Sequence, residues 1–268
     1  MIMEEQDTQK PTLSYTELTD IIDLTLWSGQ LLLQHGADSQ RVEETVHRLG
    51  TALGCNWMDV FVSYSDIGVS AISGEGFRTK IRRVVRIGVN MTIVSAISRL
   101  SRRVESGELD RFQVRSELHR ISTTPHHYNR WLVALMVGLA CAAFSRLFGG
   151  DWTVFAITWL SAGTAMVARQ ELARRHFNAL LVVVATAFVG GILASSATRI
   201  PGIAEPETAL VSSVLLLVPG VPLINAVNDI VEGYVVVGIA RGLIGAIISL
   251  AIALGLLMAM ALTGISSL

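Results

Sequence analysis

Short periodic patterns of apolar residues predict the secondary structure of the first half of the chain. Apolar positions in residues 39–53 recur three and four residues apart, as on one face of a helix, whereas those in 57–73 alternate as in strands. The predicted elements are helices at 15–34, 39–53, 91–105 and 108–121 and strands within 57–73 and 77–86. Together they predict an α+β domain over residues 15–124, after a disordered segment at 1–14.

Long apolar runs dominate the second half, after a polar linker at 125–130. A helix needs about 20 apolar residues to cross a bilayer. Five such spans are predicted, near residues 131–149, 151–168, 179–197, 209–231 and 234–264. Residues 131–268 are therefore expected to form a transmembrane domain.

Charge supports this division and predicts the orientation. Of the 21 Lys/Arg and 22 Asp/Glu, 15 and 16 respectively precede residue 131, although 51% of the whole chain is hydrophobic. Because basic loops stay in the cytoplasm, the first half and the predicted loop at 169–176 place the α+β domain in the cytoplasm and the C-terminus outside. The predicted fold class is thus an α-helical polytopic membrane protein of five transmembrane helices, one broken, with an N-terminal cytoplasmic α+β domain.

The composition argues against several classes of function. A net charge of −1 gives no reason to expect nucleic-acid binding. Cys55 and Cys141 lack metal-ligand spacing, and His126 and His127 have no carboxylate or cysteine at such a spacing, so we expect no metal or other cofactor. The chain has no nucleotide-binding glycine motif and no defensible pair of nucleophile and base, so we assign no catalytic residue.

The fourth predicted span contains helix breakers. Residues 215–229 read LLLVPGVPLINAVND, in which Pro219 and Pro222 each remove a backbone donor and Gly220 permits unusual backbone angles. Lipid offers no hydrogen-bond partners, so such a break needs cover from protein or a watery cavity, and in transporters it carries the binding site. The pattern predicts helix–break–helix, with Pro222 in the first turn of the second helix.

Polar side chains recur at helical spacing after the break, as far as Glu232, and two arginines occur at or within other spans. Charged residues inside a membrane are costly, and an arginine fork suits a carboxylate. The candidate substrate and translocation residues are Pro219, Gly220, Pro222, Asn225, Asn228, Asp229, Arg241 and Arg146. The alternative is a simple proline kink with a polar helix end, with an arginine at position 146 that reaches the membrane interface.

Four segments resemble the threonine/serine exporter family, most closely the larger subunit of its split, two-subunit bacterial form. They are LLLQHGADSQRVEETVHRLGTALG (31–54), RVVRIGVNM (83–91), RWLVALMVGLACAAF (130–144) and VLLLVPGVPLINAVNDIVEG (214–233). The family pattern matches Pro219, Gly220, Pro222, Asn225 and Asp229 in the broken span. It also matches Gly36, Ala37, Val42 and Glu43 in the first half, without specifying their role.

The resemblance implies a secondary exporter of small carboxylate metabolites in the bacterial inner membrane. The favoured substrate is succinate or another C4-dicarboxylate, and a smaller integral-membrane subunit is the expected partner. Homo-oligomerisation stays open. Two alternatives also stay open: an exporter of threonine or serine, and a membrane-anchored enzyme or sensor that acts through its soluble domain.

Overall fold

Cap residues delimit the first two helices. Helix α1 spans Tyr15–Gln34 and begins with a capping box, in which Ser14 accepts from the backbone of Glu17 and the Glu17 side chain accepts from the backbone of Ser14. It ends before Gly36, whose φ of +88° belongs to the left-handed region that favours glycine. Asp38 then caps helix α2, Ser39–Ala52, by accepting from Arg41 N at 2.8 Å. Both helices agree with the sequence prediction.

The structure is a computed structural model that describes residues 11–74, 76–85, 88–123, 128–201, 203 and 205–265. An antiparallel sheet follows α2, with strands in the order β1-β2-β3. The strands are β1 (Trp57–Val62), β2 (Asp66–Ser73) and β3 (Gly76–Arg83). Two helices come next, α3 (Met91–Glu105) and α4 (Arg111–Thr123). This meander and helix pair were predicted; the Glu75 position of the predicted β2–β3 turn, Pro125, and the pair His126 and His127 lie outside the described residues.

One apolar core holds these elements together. Alternate or helically spaced side chains from all four helices and the sheet are almost fully buried, and they include Ile21, Leu32, Val46, Ile67, Ile97 and Leu118. Each such burial contributes roughly 1.5–3 kcal/mol relative to an exposed side chain. The apolar positions whose spacing predicted these helices and strands are therefore the ones that form this core.

Helices make up nearly all of the second half. They are α5 (Arg130–Leu147), α6 (Trp152–Arg174), α7 (Ala179–Ala194), α8 (Glu207–Ser213), α9 (Gly220–Val231) and α10 (Val235–Thr263), with 3₁₀ turns at Ser195–Arg199 and Leu215–Leu217. The predicted basic loop at 169–176 is wrong for most of its length, because α6 continues through it. No helix breaker interrupts this stretch, and the chain turns only at His176, with φ +58°.

Fewer helices than predicted meet the criteria for a membrane span. By length and composition, three helices of the described residues are long and apolar enough: Arg130–Leu147, Ala179–Arg199 and Val235–Thr263. The interrupted pair Glu207–Leu217 and Gly220–Val231 raises the number to four. The second predicted span, near residues 151–168, lies in α6 and outside this set, since Thr153, Thr158, Ser161 and Thr164 dilute its apolar residues. The apolar helices are those of a membrane protein.

The chain divides into two compact units. One comprises Met1–Pro125 and Val221–Gly242, and the other comprises His126–Gly220 and Leu243–Leu268. Within the second unit, small residues let helices approach closely: a Cβ at Gly138 would lie 2.7 Å from the carbonyl oxygen of Trp159, and one at Gly255 would lie 2.5 Å from that of Val184. The first unit joins the α+β elements to α9 and the start of α10, a combination that the sequence did not predict.

Candidate functional site

The break in the fourth predicted span is present. Helix α8 ends at Ser213, and α9 begins only at Gly220, directly after Pro219. Pro222 lies in the first turn of α9, where its missing N–H leaves no hydrogen bond unmade. The predicted sequence of helix, break and helix is therefore confirmed, and the polar residues after the break lie on a helix of their own.

A buried ion pair joins α9 to α10. Asp229 is fully buried and Arg241 is 8% exposed, and Oδ2 of the aspartate lies 3.0 Å from Nη1 of the arginine. Neither of these two atoms has a hydrogen bond of good geometry among the described residues, so the contact is an ion pair by distance without hydrogen-bond alignment. Each charge stabilises the other, because a single buried charge without a counter-charge would strongly destabilise the fold.

The loop at residues 36–39, here called the signature loop, supplies the other contacts of this pair. Ser39 donates its backbone N–H to Oδ1 of Asp229 at 2.9 Å. Arg241 donates from Nη2 to the carbonyl of Ala37 at 3.0 Å. Ser39 is the first residue of α2, so its N–H is one of the free donors at a helix N-terminus, where a negative charge is favoured.

Two further hydrogen bonds extend the contact. Asn225 donates its side-chain amide to the carbonyl of Gly36 at 2.9 Å, and the Tyr234 hydroxyl bonds to the carboxylate of Glu43. Tyr234 lies in the turn between α9 and α10. Desolvation, followed by the hydrogen bond to Glu43 and its charge, raises the pKa of Tyr234. Three matched residues of the first half, Gly36, Ala37 and Glu43, thus bind residues beyond the break.

Backbone geometry explains why the signature loop contains a glycine. Gly36 has a φ of +88°, and a Cβ there would lie 3.2 Å from the carbonyl oxygen of Gly88. The segment around Gly88 also fixes the end of α1: the N–H groups of Gly88 and Asn90 donate to the carbonyls of Gln34 and His35 at 2.8 and 3.0 Å. This leaves the carbonyls of Gly36 and Ala37 free to accept from α9 and α10. Val42 instead lies in the apolar core.

Three buried polar atoms at this site lack a hydrogen bond among the described residues. They are Oγ of Ser39, Oδ2 of Asp229 and Nη1 of Arg241. Buried polar atoms in proteins are nearly always bonded, so a cluster of exceptions is informative. These atoms have the capacity to accept or donate to another polar group without first breaking a hydrogen bond.

The other predicted site residues lie elsewhere. Asn228 is exposed and lines a groove beside α2, together with Glu232. Arg146 belongs to the other unit, where its guanidinium donates to the carbonyl of Gly150 and stacks 4.8 Å from the ring centre of Trp152. These contacts match the alternative interpretation of Arg146 as a residue at the end of its span.

Sequence reasoning missed Ser39 and Tyr234 as site residues. Ser39 begins the helix predicted at 39–53, but nothing in the sequence pointed to a distant partner for its N–H. Tyr234 carried no signal at all. Among the described residues, no group of three or more His, Cys, Asp or Glu side chains is arranged to hold a metal ion.

Comparison with known proteins agrees with the earlier resemblance. The family model described as "Putative threonine/serine exporter" matches residues 23–263. The chain is 38% identical to "Probable succinate transporter subunit YjjP" of Escherichia coli, over 75% of this chain and 78% of that protein. The namesake from Klebsiella aerogenes is also 38% identical, over 78% of this chain and 81% of that protein.

A more distant relative carries the other substrate in its name. The chain is 20% identical to "Threonine/serine exporter" of Corynebacterium glutamicum, over 78% of this chain and 44% of that protein. No solved structure matches significantly. With a family model that matches nearly the whole chain and relatives of 38% identity, this chain belongs to the threonine/serine exporter family.

Proposed function

We propose that this chain is the larger subunit of a secondary exporter of small carboxylates, with succinate or another C4-dicarboxylate as its substrate. A smaller integral-membrane subunit completes the exporter. Support for the substrate and for the partner comes from the relatives of 38% identity, which are named as probable succinate transporter subunits. A transporter of this kind carries no catalytic residues and needs no cofactor.

The observation that carries the proposal is the buried pair of Asp229 and Arg241 directly after the helix break. A dicarboxylate needs a cationic partner inside the membrane, and an arginine fork can bind a carboxylate through two parallel hydrogen bonds. In the closed pair Asp229 occupies the place of that carboxylate. Nη1 of Arg241 has no aligned hydrogen bond among the described residues. The N–H of Ser39, which now donates to Asp229, would become available to a substrate carboxylate that replaced Asp229.

Export then follows from exchange at Arg241. Protonation or displacement of Asp229 releases the guanidinium and the Ser39 N–H to the substrate carboxylate, and the return of Asp229 expels the substrate. Asp229 is the coupling or gating group in this scheme, and the signature loop ties its state to the α+β elements. Pro219, Gly220 and Pro222 keep α9 separate from α8 so that the pair can form, and Asn225 holds α9 to the signature loop.

The membrane potential assists this direction of transport. A dianion that leaves a cell with a negative interior gains about 2.3 kcal/mol per charge for every 100 mV. Export of a dicarboxylate therefore requires little additional coupling. We place the α+β elements on the cytoplasmic side of the inner membrane and the C-terminus outside, because 15 of the 21 Lys/Arg precede residue 131. We count five spans in this proposal, which are the four apolar ones and α6.

Export of threonine or serine is the second candidate, supported by the name of the family model and of the more distant relative. An amino acid shares the carboxylate that Arg241 would bind but adds an ammonium group. Asp229 would then contribute to binding as a counter-ion for that ammonium. The two candidates share one site and differ in the charge of the cargo.

Metabolite efflux tests the proposal directly. Bacterial cells without their own exporters would express this chain with and without a small membrane partner, and succinate and threonine would be measured together in the medium. Partner-dependent succinate efflux is the expected result. Threonine efflux alone would replace the substrate assignment. Efflux of neither compound, with both proteins in the membrane, would contradict an exporter and favour a sensor or enzyme role for the α+β elements.

A further inference from the structure

A polar groove of about 550 Å³ runs between α2 and α3. One wall is a face of α2 and the other is a face of α3, on which Ser95, Ser98, Arg99 and Arg102 recur at helical spacing. Asn228 and Glu232, from α9 and the turn after it, also line the groove. Asn228 is the sequence neighbour of Asp229, but neither Asp229 nor Arg241 lines the groove, so it is a separate feature from the buried ion pair.

The arginines of the two walls differ in their partners. On α2, Arg41 lies 3.4 Å from Asp38 and Arg48 lies 3.4 Å from Glu105. On α3, the ion pairs among the described residues are those of Glu105 with Arg48 and of Arg103 with Glu108, so Arg99 and Arg102 take part in none. Residues three apart on a helix have their Cβ atoms about 5–6 Å from each other. The α3 wall thus presents two arginines one helical turn apart, neither in an ion pair with a described residue, and Ser95 and Ser98 line the same groove.

Acidic side chains lie on the opposite side of the groove. Asp38 is engaged with Arg41, and Glu44 accepts from the side-chain amide of Gln40 at 2.9 Å. Glu232 has no such partner among the described residues. Desolvation, followed by the charges of Asp38, Asp229 and Glu44, raises the pKa of Glu232. The free positive charge is therefore concentrated on α3 and the free negative charge at the α9 end.

We infer that this groove is a docking site for a small dicarboxylate, with one carboxylate bound by Arg99 and the other by Arg102. The choice of succinate as ligand rests on the proposed function, whereas the anion site itself does not. Two carboxylates joined by a short carbon chain match two guanidinium groups one helical turn apart, and each arginine can bind through two hydrogen bonds. Ser95 and Ser98 add hydroxyl donors, and Asn228 brings the ligand to the α9 helix that carries Asp229.

The position of Glu232 separates a dicarboxylate from an amino acid. A dianion on Arg99 and Arg102 is repelled by Glu232, so Glu232→Gln should tighten its binding. An amino acid would place its carboxylate on α3 and its ammonium near Glu232, so the same substitution should weaken it. The effect of Glu232→Gln on affinity therefore shows whether the part of the ligand near Glu232 is negatively or positively charged.

Titration calorimetry on the purified full chain in nanodiscs tests the inference, with succinate and threonine as the two probes. We expect saturable succinate binding that Arg99→Gln and Arg102→Gln each weaken about tenfold or more, and that Glu232→Gln strengthens. Arg103→Gln is the matched control, since Arg103 is on the same helix but outside the groove and pairs with Glu108 at 3.0 Å. It should leave the succinate Kd unchanged.

Three results would overturn the inference: no succinate binding, equal loss in Arg103→Gln, or threonine binding that Glu232→Gln weakens. Succinate efflux by a complex whose arginine variants bind and export normally would refute the groove and leave the proposed function standing. Succinate binding that depends on Arg99 and Arg102, without any efflux, would support the groove and contradict the proposed function.

Discussion

Ser39 donates its backbone N–H to the carboxylate of Asp229 at 2.9 Å, although 190 residues separate them in the chain. The same carboxylate lies 3.0 Å from Arg241, which donates to Ala37. The motif after the helix break and the signature loop of the first half are therefore one structural site. The family pattern matched Gly36, Ala37 and Glu43 without a role, and the structure shows that they bind residues of α9, α10 and the turn between them.

Loss of the carboxylate should stop transport. In Asp229→Asn the amide oxygen can still accept from Ser39, but Arg241 is left buried without a counter-charge, which costs about 3–5 kcal/mol. We expect efflux to fall to background while the chain still inserts into the membrane, as checked by membrane fractionation. Asp59→Asn removes an equal charge from an exposed strand position and should leave efflux intact. Normal efflux from Asp229→Asn would show that the Asp229 carboxylate is not required for transport.

Removal of both charges should be less damaging to stability than removal of one. The double variant Asp229→Asn, Arg241→Gln leaves no uncompensated buried charge, so its thermal midpoint should lie above those of both single variants. Thermal unfolding of the four proteins in the same detergent gives the coupling. Efflux should stay absent in the double variant, because the substrate partner is gone. Simple additivity of the two effects would contradict a direct ion pair.

The two prolines should act together. Pro222 occupies the first turn of α9, where proline is tolerated, and Pro219 precedes it at the break. Pro222→Leu should therefore reduce efflux, and Pro219→Leu, Pro222→Leu should abolish it by allowing α8 and α9 to join. Efflux rates normalised to membrane content provide the measurement. A double variant with full efflux would show that the break is dispensable.

The bond between Tyr234 and Glu43 should stabilise the first unit. Tyr234→Phe removes a hydrogen bond to a charged group, worth about 1.5–3 kcal/mol, and leaves the ring in place. We expect a lower thermal midpoint for the full chain. Tyr128 is 77% exposed, so Tyr128→Phe serves as the control and should unfold like the unmodified protein. Equal thermal midpoints for the two variants would show that the bond between Tyr234 and Glu43 does not stabilise the fold.

Glu232 should make stability depend on pH. Its pKa is raised by desolvation and by neighbouring carboxylates above the ordinary value of 4.5, so the folded chain binds this proton more tightly than the unfolded chain. The resulting stability is fully present below pH 4.5 and is lost as the pH rises through the raised pKa. Glu232→Gln should therefore unfold at a higher temperature than the unmodified chain at pH 7. The two should converge in acid; a constant difference across the pH range would contradict the shifted pKa.

Local pattern alone determined most of the secondary structure and part of the site. Helical and alternating periodicities located the helices and strands of the first half, because each such pattern acts within a few residues. The caps that the structure shows at Ser14 and Asp38 are equally local. The break at Pro219 and Pro222 was predictable for the same reason. The polar face with Asn225 and Asp229 was visible as a helical spacing.

Only the tertiary structure decided what these residues meet. The partners of Asp229 are a backbone N–H at Ser39 and the arginine at position 241, and no periodicity of the chain relates positions 39, 229 and 241. The assignment of α9 to the same unit as the α+β elements likewise depends on contacts between distant segments. The spacing of residues along the sequence predicts helices, strands and turns, because these depend on residues only a few positions apart. Burial and charge pairing depend on three-dimensional packing, which is why the signature loop acquired its role only there.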